Sequence, residues 1–446
     1  MTPQRVQVFS LGTPSKGTAT AKRRYRVKWR IDGRDRTRSF KTRAEADRFR
    51  RLLLDAVESG EHFEDTTGEP SSWSSTSLTW FQWSQEWIAL KWPQWAGTTR
   101  RTALETLVSI TPRMVRGGAP DPPTEVADWL RSDGYVPGSD GWATPPAWLS
   151  RWSLPLDEIT PRILEQVLVE VTTRQDGKPM AASIARRRKN TLGAVLRAAV
   201  RRDLLDRNPM DGVEWRTPTR DMTIDVATVP SMSDVLTLVD HVTALESAAA
   251  ARYGALFACV GLAGLRPSEA ISLRVGDLDL PSSGWGLARV RGATTEPGAR
   301  FTADGKRTEE KGLKHRAAGT VREVPLPPPL VDRLRLHVDR WDDDLLFLNV
   351  HGQPMTTGSY NPVWKRARKA AWADRAELAK TTLYELRHSS ATMMLRAGVP
   401  PAEVARRLGH SIDILLSVYA GVLVEERDRS NELIDAELDR QMRLDT

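Results

Sequence analysis

Two stretches too polar and too rich in turn-forming residues to enter a core interrupt this chain, so it cannot be one continuous fold. The first runs from Asp65 to Ser77 (DTTGEPSSWSSTS) and has the composition of a linker. The second is the Thr- and Pro-rich passage that follows Asn208-Pro209 and reaches Pro230, which places a boundary near residues 218–230. With 446 residues, 40% of them hydrophobic, there is material for two or three separate cores.

Charge divides along the same lines. The formal net charge is +8 and the pI about 9.7, which favours a polyanionic partner. Residues 1–60 carry sixteen Lys or Arg against six Asp or Glu, so the excess belongs to the first segment and the remaining chain is close to neutral. The single cysteine, Cys259, lies in the apolar run GALFACVGLAGL, where an inert buried thiol is expected and no disulfide framework can form within one chain. Neither a signal-peptide apolar region nor a run of about 18 apolar residues is seen, so the expectation is a soluble cytoplasmic protein with no membrane partner.

The first segment alternates with period two. Tyr25, Val27 and Trp29 fall on one face and Arg24, Arg26, Lys28 and Arg30 on the other, around Asp32-Gly33, which reads as a β-hairpin. Arg36, Arg38 and Lys41 extend the basic run, and a helix follows in which Thr42 and Glu45 have the spacing of a capping box. A basic sheet backed by one helix can enter a DNA groove; a solvated edge hairpin is the plainer alternative. Trp80, Trp83 and Trp87 then recur at helical spacing and read as core. Residues 112–150, rich in Pro, Gly and Asp, look like an insertion with one short helix near Glu125–Arg131. Helices are expected at Thr98–Val108, Thr160–Thr172 and Ala181–Arg202. The last carries Arg186, Arg187 and Lys189 with no acidic residue from 186 to 202, a candidate phosphate-contacting surface or a solvated helix back.

Chemistry concentrates near the carboxyl end. Residues 381–421 place Arg387 and His388 on one helix, Gly409-His410 at a helix end, and Tyr419 nine residues beyond His410. A phenol, an imidazole and a guanidinium in one pocket suit phosphoryl transfer without a metal, the phenol as nucleophile and the cations on the non-bridging oxygens. Further upstream Arg266 stands where one apolar helix stops and another begins, with Glu269 placed to orient it, unless the two form only a local exposed pair. Segments 285–293 and 320–327 read as strands flanking a long loop, residues 294–319, that contains Lys306, Lys311 and Lys314. A lysine on such a tip can give a proton to a leaving alkoxide. Neither a P-loop nor a metal-ligand cluster is present, and no cofactor is expected.

Arg266 with Glu269, the lysine-bearing segment ending in VPLP, LRH at 386–388, LGH at 408–410 and Tyr419 occur in the order and approximate spacing of the tyrosine recombinase, or phage integrase, family. The basic RVKWRIDGRDRTRSFKTRAEAD segment resembles that family's arm-type DNA-binding domain. Lys189-Asn190 to Asn208-Pro209 resembles the end of its core-binding domain, and ARFTADGKRTEEKGLKHRAAGTVREVPLP is similar to actinobacterial and actinophage integrases. The resemblance implies a multidomain, mainly α protein. Its parts would be a small three-stranded sheet plus helix at 1–64, a linker at 65–77, an all-α SAM-like core-binding domain at 78–218, a linker at 219–230, and a mixed α+β catalytic domain with a small antiparallel sheet at 231–446.

The resemblance further implies an integrase that cuts and rejoins DNA through a 3′-phosphotyrosyl link at Tyr419. Arg266 and Arg387 would bind the scissile phosphate, Lys314 would be the general acid, and His410 would assist the phosphate or a proton transfer. His388 would be structural. Where many members have histidine, three residues before the second arginine, this chain has Tyr384, whose hydroxyl donates a hydrogen bond but carries no positive charge. The implied partners are double-stranded DNA at core and arm sites, further copies forming a tetramer through the amphipathic tail (Leu433, Ile434, Leu438, Met442), and as candidates an excisionase and a host DNA-bending protein. A non-catalytic DNA-binding protein and a type IB topoisomerase are the rival classes.

Overall fold

The computed structural model describes residues 4–10, 25–40, 42–65, 67–70, 78–216, 218, 224–244, 248–313, 317, 319–341, 343–425 and 427–444. The chain forms two compact units, Met1–Thr219 and Arg220–Thr446. Both are built mainly from helices, with small antiparallel sheets.

The first unit begins with a sheet of order β1-β2-β3, comprising β1 (Val6–Val8), β2 (Tyr25–Ile31) and β3 (Arg34–Phe40). Asp32 and Gly33 both have positive φ (43° and 84°), as a two-residue hairpin that follows the strand twist requires. Helix α1 (Arg43–Glu58) covers one face. Its capping box is formed as the Thr42/Glu45 spacing predicts, and its Ala46, Phe49, Leu53 and Ala56 pack on Val27, Trp29 and Ile31. The Trp29 indole N–H donates to the Gly68 carbonyl, so the first residues of the polar stretch at 65–77 are held to the sheet.

Helix α2 (Trp80–Lys91) buries Trp80, Trp83 and Trp87, so the aromatic stripe is core. The Trp80 and Trp83 indoles donate to Thr111 Oγ1 and the Val195 carbonyl, each at 3.0 Å. Helix α3 (Gly97–Ile110) follows. The stretch at 112–150 holds α4 (Thr124–Trp129) and the start of a second short helix, α5 (Ala147–Trp152). It supplies core: Val126, Leu130 and Tyr135 are buried, and the Tyr135 hydroxyl pairs with Ser84 Oγ at 2.7 Å. Helices α6 (Pro161–Thr172) and α7 (Ala182–Val200) complete this unit, with α7 packed against α2, α3 and α6.

In the second unit α8 (Met232–Ala244) and α9 (Ala248–Ala263) pack together. Leu256, Phe257, Ala258, Cys259 and Val260 in succession are fully buried, so α9 is a central helix apolar all round. Burial pushes the Cys259 thiol up to about 12, which makes it unreactive. A three-residue break, 264–266, leads through α10 (Pro267–Ala270) to a sheet of order β4-β5-β8, from β4 (Leu278–Asp279), β5 (Gly286–Val290) and β8 (Arg322–Leu326). The segment 294–319 is not one long loop: β6 (Gly292–Thr295) and β7 (Glu309–Gly312) pair as a second small sheet across it. Then come α11 (Pro328–Arg340), α12 (Thr357–Ala371), α13 (Leu386–Arg396), α14 (Pro401–Leu408), α15 (Ile412–Glu425) and α16 (Arg427–Leu444).

A second apolar cluster joins α13, α14 and α15 through Met394, Leu395, Val404, Leu408, Leu415 and Val422. Ile224 and Val226, from the end of the passage read as the second linker, pack on it, and Ile224 N–H donates to the Val418 carbonyl at 3.1 Å. That part of the passage is therefore structural.

Candidate active site

One carboxylate organises the site. Glu269 lies in the first turn of α10, 2% exposed, and accepts four hydrogen bonds. Two come from Arg266, its backbone N–H at 2.9 Å and Nη1 at 2.6 Å; two come from Arg322 on β8, Nη1 at 3.1 Å and Nη2 at 2.7 Å. Four donors fill the lone-pair capacity of a carboxylate. Burial alone would raise the Glu269 pKa, but the Arg322 hydrogen bonds and the charges of Arg322, Arg266 and Arg387 outweigh it and hold the carboxyl at about 2. Glu269 is thus a fixed anion that orients guanidinium groups and has no capacity left for proton transfer.

Arg266 also reaches across to the Gly409 carbonyl through Nη2 at 3.0 Å. Gly409 ends α14 in the left-handed region (φ 66°, ψ 45°), and a Cβ there would lie 2.2 Å from Arg322 Nη1. Only glycine satisfies both the backbone and the close guanidinium. The turn aims the Leu408 and Gly409 carbonyls at two arginines and carries His410 into the same group.

Arg387, in the first turn of α13, is 1% exposed. It donates to the Gly264 and Leu408 carbonyls and, through Nη2 at 2.8 Å, to His410 Nε2. A guanidinium can only donate, so His410 Nε2 accepts and the neutral ring carries its proton on Nδ1. Burial, then the charges of Arg387 and Arg266, press the His410 pKa down to about 3. Arg387 Nε and His410 Nδ1 are buried and have no hydrogen-bond partner among the described residues. Unpaired buried donors beside two guanidinium groups are what an anion-binding site presents before its anion arrives.

Tyr419 breaks α15 with a non-helical φ/ψ of −110°, 18° and is fully buried. Its hydroxyl lies 2.8 Å from His388 Nδ1, with the ring centroids 5.7 Å apart. Burial raises the phenol pKa, with the charge of Arg387 acting the other way. The Tyr384 ring lies 5.9 Å from that of His388, edge to face, and Tyr384 is 43% exposed. Arg266 thus pairs with Glu269 and Arg387 with His410, the two pairs meeting at the adjacent Leu408 and Gly409 carbonyls, while the His388 ring contacts both Tyr419 and Tyr384. Lys314 lies outside the described residues; Lys311 sits on β7, paired with Glu309 at 2.9 Å, and Lys306 with Asp304 at 3.3 Å.

Sequence reasoning passed over Arg322, 3% exposed. A signal was present: Arg322, Val324 and Leu326 share the inward face of β8, and an arginine at an inward strand position needs an anion.

In the first unit, Arg26 and Lys28 are exposed and Arg30 partly so. Lys28 and Arg30 both pair with Asp35 at 2.6 Å, Arg38 pairs with Glu69, and Arg36 donates to the Asp65 carbonyl. Arg24 and Lys41 lie outside the described residues. On α7, Arg186 and Arg187 are exposed, whereas Lys189 is partly buried and donates to the Trp215 carbonyl at 2.9 Å. Among the described residues no group of His, Cys, Asp or Glu could hold a metal ion, and no helix is long and apolar enough to cross a membrane.

The groups of the site, from Arg266 to Tyr419, all lie within residues 231–426, which match the model of the phage integrase family. Those residues are thus a domain of that family, the tyrosine recombinases. It is 29% identical over 226 residues to the prophage phiRv2 integrase of Mycobacterium tuberculosis, covering 49% of this chain and 53% of that protein. It is 31% identical over 172 residues to tyrosine recombinase XerA of Thermococcus onnurineus, covering 38% and 51%. The chain thus spans about half the length of these curated relatives. The fold is similar to that of the XerH site-specific recombinase in a post-cleavage complex with palindromic difH substrate, with a TM-score of 0.51 and 16% identity over 79% of this chain and 94% of that one.

Proposed function

We propose that this protein is a site-specific DNA recombinase, an integrase that inserts or excises a phage or other mobile element. The observation that carries this reading is the Glu269-centred cluster, which gathers Arg266, Arg387 and His410 from separate helices beside Tyr419. Arg266 and Arg387 bind the non-bridging oxygens of the scissile phosphate, and His410 donates from Nδ1. Tyr419 attacks phosphorus, forms a 3′-phosphotyrosyl link and frees a 5′-hydroxyl, protonated by Lys314. The link keeps the free energy of the phosphodiester, so a 5′-hydroxyl of another strand can reseal it without ATP.

In this reading residues 1–64 contact arm sites through Arg24, Arg26, Lys28, Arg30, Arg36, Arg38 and Lys41. Residues 78–218, with Arg186, Arg187 and Lys189, contact the core site, and 231–446 perform the chemistry. Four copies act together, with α16, whose Ile434, Leu438 and Met442 are exposed, docking on a neighbour; an excisionase and a DNA-bending protein set direction. The test is a nicked suicide duplex carrying the element's attachment site. Wild-type protein forms a covalent adduct and Tyr419→Phe binds the DNA without forming one; an adduct in the variant removes Tyr419 from its role. Nicking and relaxing of any duplex, without joining of two sites, favours a topoisomerase instead.

A further inference from the structure

The phenolic proton of Tyr419 must leave as the oxygen attacks phosphorus, and the groups assigned so far do not take it. Glu269 already accepts four hydrogen bonds, the guanidinium groups only donate, and the His410 Nε2 lone pair is occupied by Arg387. Position 384 holds a tyrosine, which is no proton acceptor near neutral pH. The remaining acceptor touches the reacting atom: His388 Nδ1, 2.8 Å from Tyr419 Oη.

On the recombinase reading, we infer that His388 is the general base of cleavage and the general acid of rejoining, a catalytic residue for the tyrosine rather than a structural one. For this the ring must be neutral with its Nδ1 lone pair free. The surroundings favour that form: burial lowers the His388 pKa, Glu385 opposes it, and the adjacent Arg387 lowers it further. The other ionisable groups facing the ring are Tyr419 on α15, Tyr384 at the edge of the ring and, more distantly, His410. A distance of 2.8 Å is within the reach a base requires. In cleavage the Tyr419 Oη–P bond forms and the P–O5′ bond breaks. The Oη proton passes to His388 Nδ1, giving imidazolium, while the 5′-oxygen takes its proton from the separate donor assigned to Lys314. In rejoining a 5′-hydroxyl displaces the phenolate, which recovers the proton from His388, and the lysine is reprotonated by the attacking hydroxyl.

The experiment measures single-turnover adduct formation by the full chain on the suicide duplex, with an ordinary or a 5′-bridging phosphorothiolate linkage whose sulfur leaves without a proton. His388→Gln can still hold the phenol by a hydrogen bond but cannot take its proton. It is expected to slow adduct formation by about 10²- to 10⁴-fold, the usual contribution of a positioned base. The phosphorothiolate does not restore it, and added imidazole partly rescues His388→Ala. DNA affinity of His388→Gln stays at the wild-type value. A rate for His388→Gln within about threefold of wild type, well below what a general base contributes, makes His388 a positioning residue and overturns the inference. Restoration by the phosphorothiolate places it on the leaving group and also overturns it. Absence of any wild-type adduct on its attachment site defeats the recombinase reading itself, whereas the first two results leave that reading standing.

Discussion

The basic sheet of the first unit and the guanidinium cluster of the second both concentrate positive charge, and they hold it in opposite ways. On the sheet, Lys28 and Arg30 share one exposed carboxylate, Asp35, from the paired strand. Such pairs contribute about 0–1 kcal/mol and are screened by salt, so their charge stays available to an incoming polyanion. In the cluster, Arg322, Arg387 and Glu269 are almost wholly removed from water and tied to fixed carbonyls and one carboxylate. There the charge is set in position before any ligand binds, at the cost of a structure that fails if one member is lost. Recruitment and chemistry are thus separated: one surface attracts, the other orients.

The largest effect should come from breaking the buried pair. Arg322→Ala leaves Glu269 short of two donors and is expected to destabilise the protein by about 3–5 kcal/mol in denaturant unfolding. A change below about 1 kcal/mol would mean that the pair is no more than a surface bridge. Next comes pH. Both Glu269 (about 2) and His410 (about 3) titrate in the folded state below their ordinary values, so the unfolded chain binds more protons. Stability is therefore fully present above about pH 6.5 and falls as pH drops, first through His410 and then below about 4.5 through Glu269. The Glu269 share is about 3 kcal/mol. His410→Gln should flatten the upper part of the acid-unfolding curve and leave the lower part steep; an unchanged upper part would contradict the neutral, buried imidazole.

A smaller effect is expected at Tyr384, which is exposed and contributes at most one hydrogen bond to a bound phosphate. Tyr384→Phe should lower the adduct-forming rate by about tenfold or less, the value of one such bond, with folding unchanged. The smallest stability effects belong to the sheet. Arg26→Ala and Lys28→Ala should each leave unfolding within about 0.5 kcal/mol, yet reduce the slope of log affinity against log salt by about 0.9 if each meets one phosphate. An unchanged slope would mean that the sheet is a solvated hairpin.

How much of this was legible in the sequence depended on whether the information was local. The hairpin at Asp32-Gly33, the Thr42/Glu45 box and the Trp80 stripe follow from period and turn chemistry within a few residues, and the structure contains all three. The role of 112–150 was hidden because its apolar residues, Val126, Leu130 and Tyr135, are scattered among prolines and glycines without period, and only tertiary packing gathers them. Pairing of β6 with β7 across the lysine-bearing segment is likewise non-local. For the site, residue types and order pointed to Arg266, Arg387, His410 and Tyr419, but the hydrogen bonds that define their work connect elements far apart in the chain. The Glu269–Arg322 pair and the His388–Tyr419 contact are of this kind.

The most direct test identifies the residue that becomes attached to DNA. The adduct formed on the suicide duplex is digested with trypsin and nuclease, and the phosphonucleotide-bearing peptide is sequenced by mass spectrometry. The modification is expected on Tyr419, in the peptide that follows Arg407. Modification of Tyr384, the more exposed tyrosine beside His388, would contradict the assignment of nucleophile, base and phosphate pocket together.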